Sequence, residues 1–204
     1  KLSKADTLVD TGMFLTHRHD HHKTALQVLR DAHSAAVEVG NLEAIGYAAA
    51  VVCAHAFWCA SPLAELEEEI VSYTEELEKL KLQATTNWCL IYQQSVLNLL
   101  EDNACPYILS GKAFDETEFL SALLPGLDLV AQLFLHLNKL VLAYLFGEIE
   151  TAQIEADKVK KYLGVLPGAV EEAIFYFYDS LTAIASLAKP HATSDDISSP
   201  AVVS

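Results

Sequence analysis

Long apolar helices recur in this chain at intervals of about 40–44 residues, each expected to be followed by a more polar partner helix. They read as Leu42–Ala60, Leu127–Phe146 and Ala169–Ala188, with a fourth, Ala84–Leu100, between the first two. A two-helix unit of this kind cannot bury its apolar face alone, so successive units must stack. The pattern therefore predicts an all-α array of antiparallel helix pairs over residues 1–188.

Local signals set the element boundaries. Leu8, Val9, Met13, Phe14 and Leu15 predict a first helix, and Leu26, Leu29, Ala32, Ala36 and Val39 recur at three- and four-residue steps over Thr24–Val39. Gly40-Asn41 stops that helix, because glycine enters the left-handed region without steric cost. Ser61 is placed to cap the next helix, with Pro62 in its first turn. From Pro62 to Leu80 an apolar stripe runs through Leu63, Leu66, Ile70, Tyr73, Leu77 and Leu80, with a row of glutamates mainly off it. Regularity fails at about 102–126, where Pro106, Ser110-Gly111 and Pro125-Gly126 mark an insertion in place of a regular pairing helix, broken only by a short helix over Phe114–Leu124. Pairing resumes with Leu127–Phe146, a turn at Gly147, and Glu148–Leu163. Residues 189–204 turn to Ser, Thr, Asp and Pro and read as a disordered tail or linker.

The 28 acidic and 13 basic residues leave a formal charge of −15, which repels phosphate backbones and anionic lipid. Nucleic acid is thus excluded as a partner. Membrane insertion is excluded too, because Asp128, Gln132, His136, Asn138 and Lys139 interrupt the longest apolar stretch. Cys53, Cys59, Cys89 and Cys105 form no CxxC pair, so reduced, mostly buried thiols and a cytoplasmic setting are expected. The chain opens on Lys1 rather than Met, and a segment of a larger protein is the expectation.

Candidate site residues are few. His17, His19, His21 and His22 cluster around Asp20, and histidines at i and i+4 can share a metal; His17, His21 and His22 are the weak metal candidates, with a solvent-facing cap as the simpler reading. Glu65, Glu68, Glu69 and Glu76 could dock a basic partner, and Phe175 and Tyr178 could pack against a following repeat or partner. His55 and His136, inside apolar helices, read as satisfied core or interface groups. Ser110-Gly111-Lys112 lacks the spacing of a phosphate-binding loop, and no GxSxG, HExxH, kinase catalytic loop or Glu-x-x-His occurs. No catalytic residue and no cofactor is therefore assigned. An alternative is a self-standing helical protein whose Trp58, Trp88, Tyr92, Phe134 and Tyr144 line an apolar small-molecule pocket.

Several strings carry a family resemblance. They are His22-Lys23, Val39-Gly40-Asn41-Leu42-Glu43 with Gly46-Tyr47-Ala48, Cys53-Ala54-His55 near Phe57, and Gln93 through Leu100. Leu137-Asn138-Lys139-Leu140, Ala143 through Gly147, and Phe175 through Leu181 follow in the same order. Together they resemble the tetratricopeptide-like helical region of very large signalling proteins that also carry a Ser/Thr-kinase-like domain, an AAA-type ATPase, a GAF domain and a histidine kinase. The resemblance covers roughly Gly12 to Ala188. It implies a fragment of a right-handed solenoid that relays signals between neighbouring domains of a parent chain, or to another protein. Any phosphotransfer would belong to the parent outside these residues.

Overall fold

The computed structural model describes residues 4–122 and 128–188, and these are helical apart from short connections and one irregular segment. Helix α1 (Lys4–Asp10) continues through a π-helical stretch, Thr11–Thr16, into the short α2 (His17–His19). Then α3 (His22–Val39) pairs with α4 (Leu42–Trp58), and α5 (Leu63–Lys79) with α6 (Gln83–Leu100). After the irregular segment come α7 (Glu116–Ala122) and the pair α8 (Leu129–Leu145) with α9 (Ile149–Val159). A single 3-10 turn, Leu163–Val165, leads to α10 (Val170–Ala188). The described residues are all-helical as the periodicity predicts, but the pairing differs in phase: α4 packs chiefly on α3 before it and α6 on α5, and among the expected pairs of an apolar helix with the polar helix after it, α8 with α9 is the one closely packed. The expected tail from residue 189 on, and Pro125-Gly126 with the expected start at Leu127, lie outside the described residues.

The pairs are made by one repeated turn. Gly40, Ala60, Lys81 and Gly147 each hold a positive φ, between 53° and 80°. The N–H of the next residue then bonds the carbonyl five positions back: Asn41 to Ala36, Ser61 to Ala56, Leu82 to Leu77 and Glu148 to Ala143, at 2.8–3.2 Å. This closure satisfies carbonyls that the helix end would otherwise leave unpaired, and it reverses the chain within a few residues. Ser61 is spent in this way, so it does not cap α5, whose cap position is Pro62 without a side-chain bond. Asn41 and Asp128 do cap, accepting from the N–H of Ala44 (3.2 Å) and Ala131 (2.9 Å).

Alternate helices form an inner row. α4 packs on α6, α6 on α8, and α8 on α10, while α3, α5 and α9 lie outside. Two of the inner helices have little solvent face: α4 buries Ala44 to Gly46 and Ala48 to Ala56, and α8 buries Ala131 and Leu133 to Ala143, whereas α10, at the end of the row, leaves one face open. Small side chains allow this closeness. A methyl group added at Gly46 would lie 2.7 Å from the Thr85 hydroxyl of α6. The row also curls back on itself. Arg18 of α2 donates to the Gly168 carbonyl (3.0 Å) just before α10, and the ends of α4 and α10 share a cavity.

The irregular segment is tied into this frame. Asn98 of α6 donates to the carbonyls of Pro106 (2.8 Å) and Ile108 (2.7 Å), and the Gln94 carbonyl accepts from the N–H groups of Ala113 (3.0 Å) and Phe114 (3.2 Å). Leu109 and Phe114 then join the core. All four cysteines are free, with Cys53 and Cys89 buried. No helix among the described residues is long and apolar enough to cross a membrane.

The turn geometry makes a prediction. Ala60 and Lys81 carry a side chain in the left-handed region, whereas Gly40 and Gly147 have open space where a Cβ would go, so only backbone strain differs. Ala60→Gly and Lys81→Gly should each raise unfolding stability by about 0.5–1 kcal/mol, and Gly40→Ala and Gly147→Ala should each lower it by about 1 kcal/mol. Urea denaturation of the four variants checks the signs.

Candidate functional site

The histidines suggested by the sequence are split by the fold. The i, i+4 relation of His17 to His21 needs one continuous helix, but the chain breaks at Asp20, whose φ and ψ are extended. His21 instead starts α3, its Nδ1 accepting from the Lys23 N–H (3.2 Å). His19 and His21 are exposed. His17 and His22 turn inward onto His55 of α4: the His22 and His55 rings lie 4.4 Å apart, and His17 stands 6.2 and 6.5 Å from them. Both ring nitrogens of His55 and of His22 are buried without a hydrogen-bond partner. Burial, then the charges on His22 and His17, holds the His55 pKa down at about 3, so the ring is neutral. Among the described residues no group of three or more His, Cys, Asp or Glu is arranged to hold a metal ion.

The acidic candidates divide likewise. Glu69 takes both arms of the Arg30 guanidinium (2.9 Å each) and Glu76 meets His33 (3.0 Å), so these two fasten α5 to α3. Glu65 and Glu68 face solvent. Phe175, expected at a docking surface, is a core residue at 1% exposure, because α10 turns that face toward α8 and α9. Its neighbours Tyr176 and Phe177 are the exposed members of the string, and Tyr178 is half-buried against Tyr144 at 5.6 Å.

His136 is satisfied. It meets Glu155 at 2.7 Å and stacks on Tyr162, and Glu155 also receives Lys158 (2.9 Å) and Lys139 (3.5 Å). Lys139 in turn reaches Glu116 (2.7 Å), whose other oxygen accepts the Leu109 N–H (2.8 Å). Burial pushes Glu155 up, but His136, Lys158 and Lys139 outweigh it and hold the carboxyl at about 2. Every charge here has a partner, and the network locks the irregular segment and α9 onto α8.

The remaining constellation is different. Where the ends of α4, α6 and α8 meet α10, an apolar cavity of about 580 Å³ opens, walled by Phe57, Trp58, Leu99, Val141, Ile174 and Tyr178 among others. Tyr92 (seven before Leu99), Asn138 (three before Val141) and Glu171 (three before Ile174) sit on the same helix faces as three of its lining residues but do not themselves line it. Each is at most 3% exposed. The Tyr92 hydroxyl, the Asn138 carbonyl oxygen, one Glu171 oxygen and the Trp58 indole N–H are all buried without a partner among the described residues. Trp58 and Asn138 lie near enough to pull the Tyr92 pKa down somewhat, yet neither makes a hydrogen bond of normal geometry with it. Burial, with the Glu171 charge next, keeps that phenol well above its ordinary value. Burial alone pushes Glu171 up to about 7, opposed only by its own N–H. Of the aromatic set expected to line a pocket, Trp58 lies on this cavity's wall, whereas Tyr92 and Phe134 are core residues. Asn138 and Glu171 were not singled out by sequence, since nothing local distinguishes them from other polar residues on a helix.

A comparison of the chain with protein-family models, with curated proteins and with solved structures returns no match.

Glu171 gives a pH prediction. Its pKa is about 7 when folded against 4.5 ordinarily, so the folded chain keeps a proton that the unfolded chain has lost. Stability from this residue is full below pH 4.5, falls as pH rises, and is gone above 7. Glu171→Gln should therefore be more stable than the parent by about 3 kcal/mol at pH 8, with the difference vanishing near pH 4.5. Paired urea titrations at the two pH values measure it.

Proposed function

We propose that this chain is a tetratricopeptide-like helical-repeat module, a right-handed array wound tightly on itself, belonging to a cytoplasmic multidomain signal-transduction ATPase or kinase. It relays a signal through protein–protein or interdomain contacts and does not itself catalyse. The observation that carries this reading is the convergence of α4, α6, α8 and α10, one helix from each successive unit, on a single cavity. A shift in packing there is felt by every unit at once, which is what a relay element requires. The ordered strings shared with the helical region of large signalling proteins support the same reading. So does the outer face of α10, where Tyr176, Phe177, Ile184 and Leu187 are more than half exposed. Apolar side chains so grouped at one edge fit a surface made to be covered. The solvent-facing Glu65 and Glu68 offer a separate acidic edge on α5.

A second reading, a helical protein that holds a small molecule on its own account, is favoured by the apolar, ring-rich wall of the cavity. The two differ in what the cavity reports to.

The test adds the purified chain in trans to the ATPase or kinase portion of its parent, prepared without this segment. Relay predicts a roughly fivefold or larger change in catalytic rate. Replacing Tyr176 and Leu187 together by glutamate should abolish that change with little effect on thermal stability, because both side chains already face solvent. A rate that stays constant at saturating chain overturns the reading.

A further inference from the structure

We propose that two adjoining cavities at the start of α4 form a docking site for a segment of a partner protein in which an apolar side chain is flanked by arginine or lysine. The apolar side chain enters one cavity and the cation the other. This surface is separate from the outer face of α10, and the assignment does not rest on the relay reading.

The first cavity, about 470 Å³, lies between the opening turns of α4 and α6, with Leu42, Tyr47, Leu82 and Trp88 among its walls. The second, about 290 Å³, lies between α4 and α1 and has Asp6, Asp10 and Glu43 in its walls. Glu43 and Tyr47 line both. An occupant that fills the pair must therefore join an apolar group closely to one that suits carboxylates.

The apolar side is built in advance. From Ala44 to Ala56 every residue of α4 is buried except Tyr47, which is 39% exposed, and Leu42 beside this run is exposed as well. The Tyr47 ring stands 5.7 Å from that of Trp88, whose indole N–H donates to the Asp128 carboxylate (2.8 Å). The aromatic wall is thus held in place before anything binds, which lowers the cost of binding. Leu42, Glu43, Tyr47 and Asp10 all face solvent, so the cavities are open dishes. They receive side chains from a backbone that lies outside, and do not bury a whole small molecule.

Charge selects the partner. No Lys, Arg or His lines either cavity. Asp6 accepts from the Asn41 amide (2.8 Å), whereas Asp10 and Glu43 enter no ion pair among the described residues. Glu43 also suits the positive end of α4. Asp10 has no such use, since it stands inside the continuous helical run from Lys4 to His19 and its side chain caps nothing. A guanidinium set there has two carboxylates and the Tyr47 ring in one lining. An acidic segment or a phosphate is repelled by the same residues and by the overall charge of −15.

The experiment titrates the full chain into a capped heptapeptide carrying one phenylalanine followed by two arginines among glycine and serine, read by the anisotropy of a neutral dye on the peptide. Two companion peptides replace the arginines by citrulline, which keeps their shape without the charge, or the phenylalanine by alanine. Each change should weaken binding by about tenfold or more. Asp10→Asn with Glu43→Gln should bring the arginine peptide down to the affinity of the citrulline peptide, and should leave the citrulline peptide unchanged, which reports an intact groove. Glu65→Gln with Glu68→Gln, on α5, should alter neither. No binding at millimolar chain, equal binding of the arginine and citrulline peptides by the unaltered chain, or an equal loss in the Glu65, Glu68 variant would each overturn the proposal. So would a phenylalanine–arginine dipeptide amide that competes as tightly as the heptapeptide, since the occupant would then be a small molecule.

Discussion

The structure turns on the closeness with which α4 can be approached from every side. Apart from Tyr47, Cys53 and His55, residues Ala44 to Ala56 are alanine, glycine or β-branched, and at Gly46 the neighbouring helix comes so near that its Thr85 occupies the place of a side chain. Small residues reduce the area each side chain buries, but they let whole helices meet at short range, so dispersion contacts are dense. Because α4 needs cover all round, α1, α3, α5 and α6 must all pack on it. The curl of the later units back toward its end follows from the same demand. A straight row would leave Phe57 and Trp58 at the end of α4 facing water, whereas the curled one sets them opposite Ile174 and Tyr178.

The interior holds two groups of buried polar residues with opposite fates. Around α8 and α9, Lys139, Glu155, His136 and Glu116 are matched in sign and saturated with hydrogen bonds. Such a network stabilises little beyond an apolar core of equal shape, but losing one member strands the others. It thus fixes how the irregular segment and α9 sit against the inner row. Between α4, α6, α8 and α10 the helices leave polar atoms of Tyr92, Asn138, Glu171 and Trp58 buried without partners among the described residues. An unpaired buried group costs about 1–3 kcal/mol, so this group stands as a destabilising one. The residue types overlap; what separates the groups is whether the protein itself closes the bonding.

How much of this was legible in the sequence follows from what each feature depends on. The helices and the turns at Gly40 and Gly147 are local, set by apolar period and by a residue that tolerates positive φ, and they could be read directly; which helix packs most closely on which could not, since α4 turns to α3 rather than to α5. Ala60 and Lys81 take the same conformation with no glycine to announce it, since closure of the turn outweighs their strain. His17 and His21 looked like partners because spacing was read on an unbroken helix. The extended backbone at Asp20 removes that relation and hands the role to His55, 33 residues from His22 in the chain. The face that Phe175 turns inward, and the anchoring of residues 106–114 by Gln94 and Asn98, depend on which helices become neighbours. Periodicity records that a face is apolar, not what it meets. The cavity was out of reach for the same reason: its walls come from helices far apart in the chain.

Burial also gives the two ends of the inner row opposite acid–base characters. His55, held near 3, sheds a proton on folding when the pH lies below its ordinary 6.5, whereas Glu171, raised to about 7, takes one up above 4.5. Between those ordinary values the two effects on stability oppose each other, since one folded group is proton-poor and the other proton-rich relative to the unfolded chain. Neither cost is offset by a hydrogen-bond partner among the described residues, so at both ends of the row the response of stability to pH is set mainly by burial.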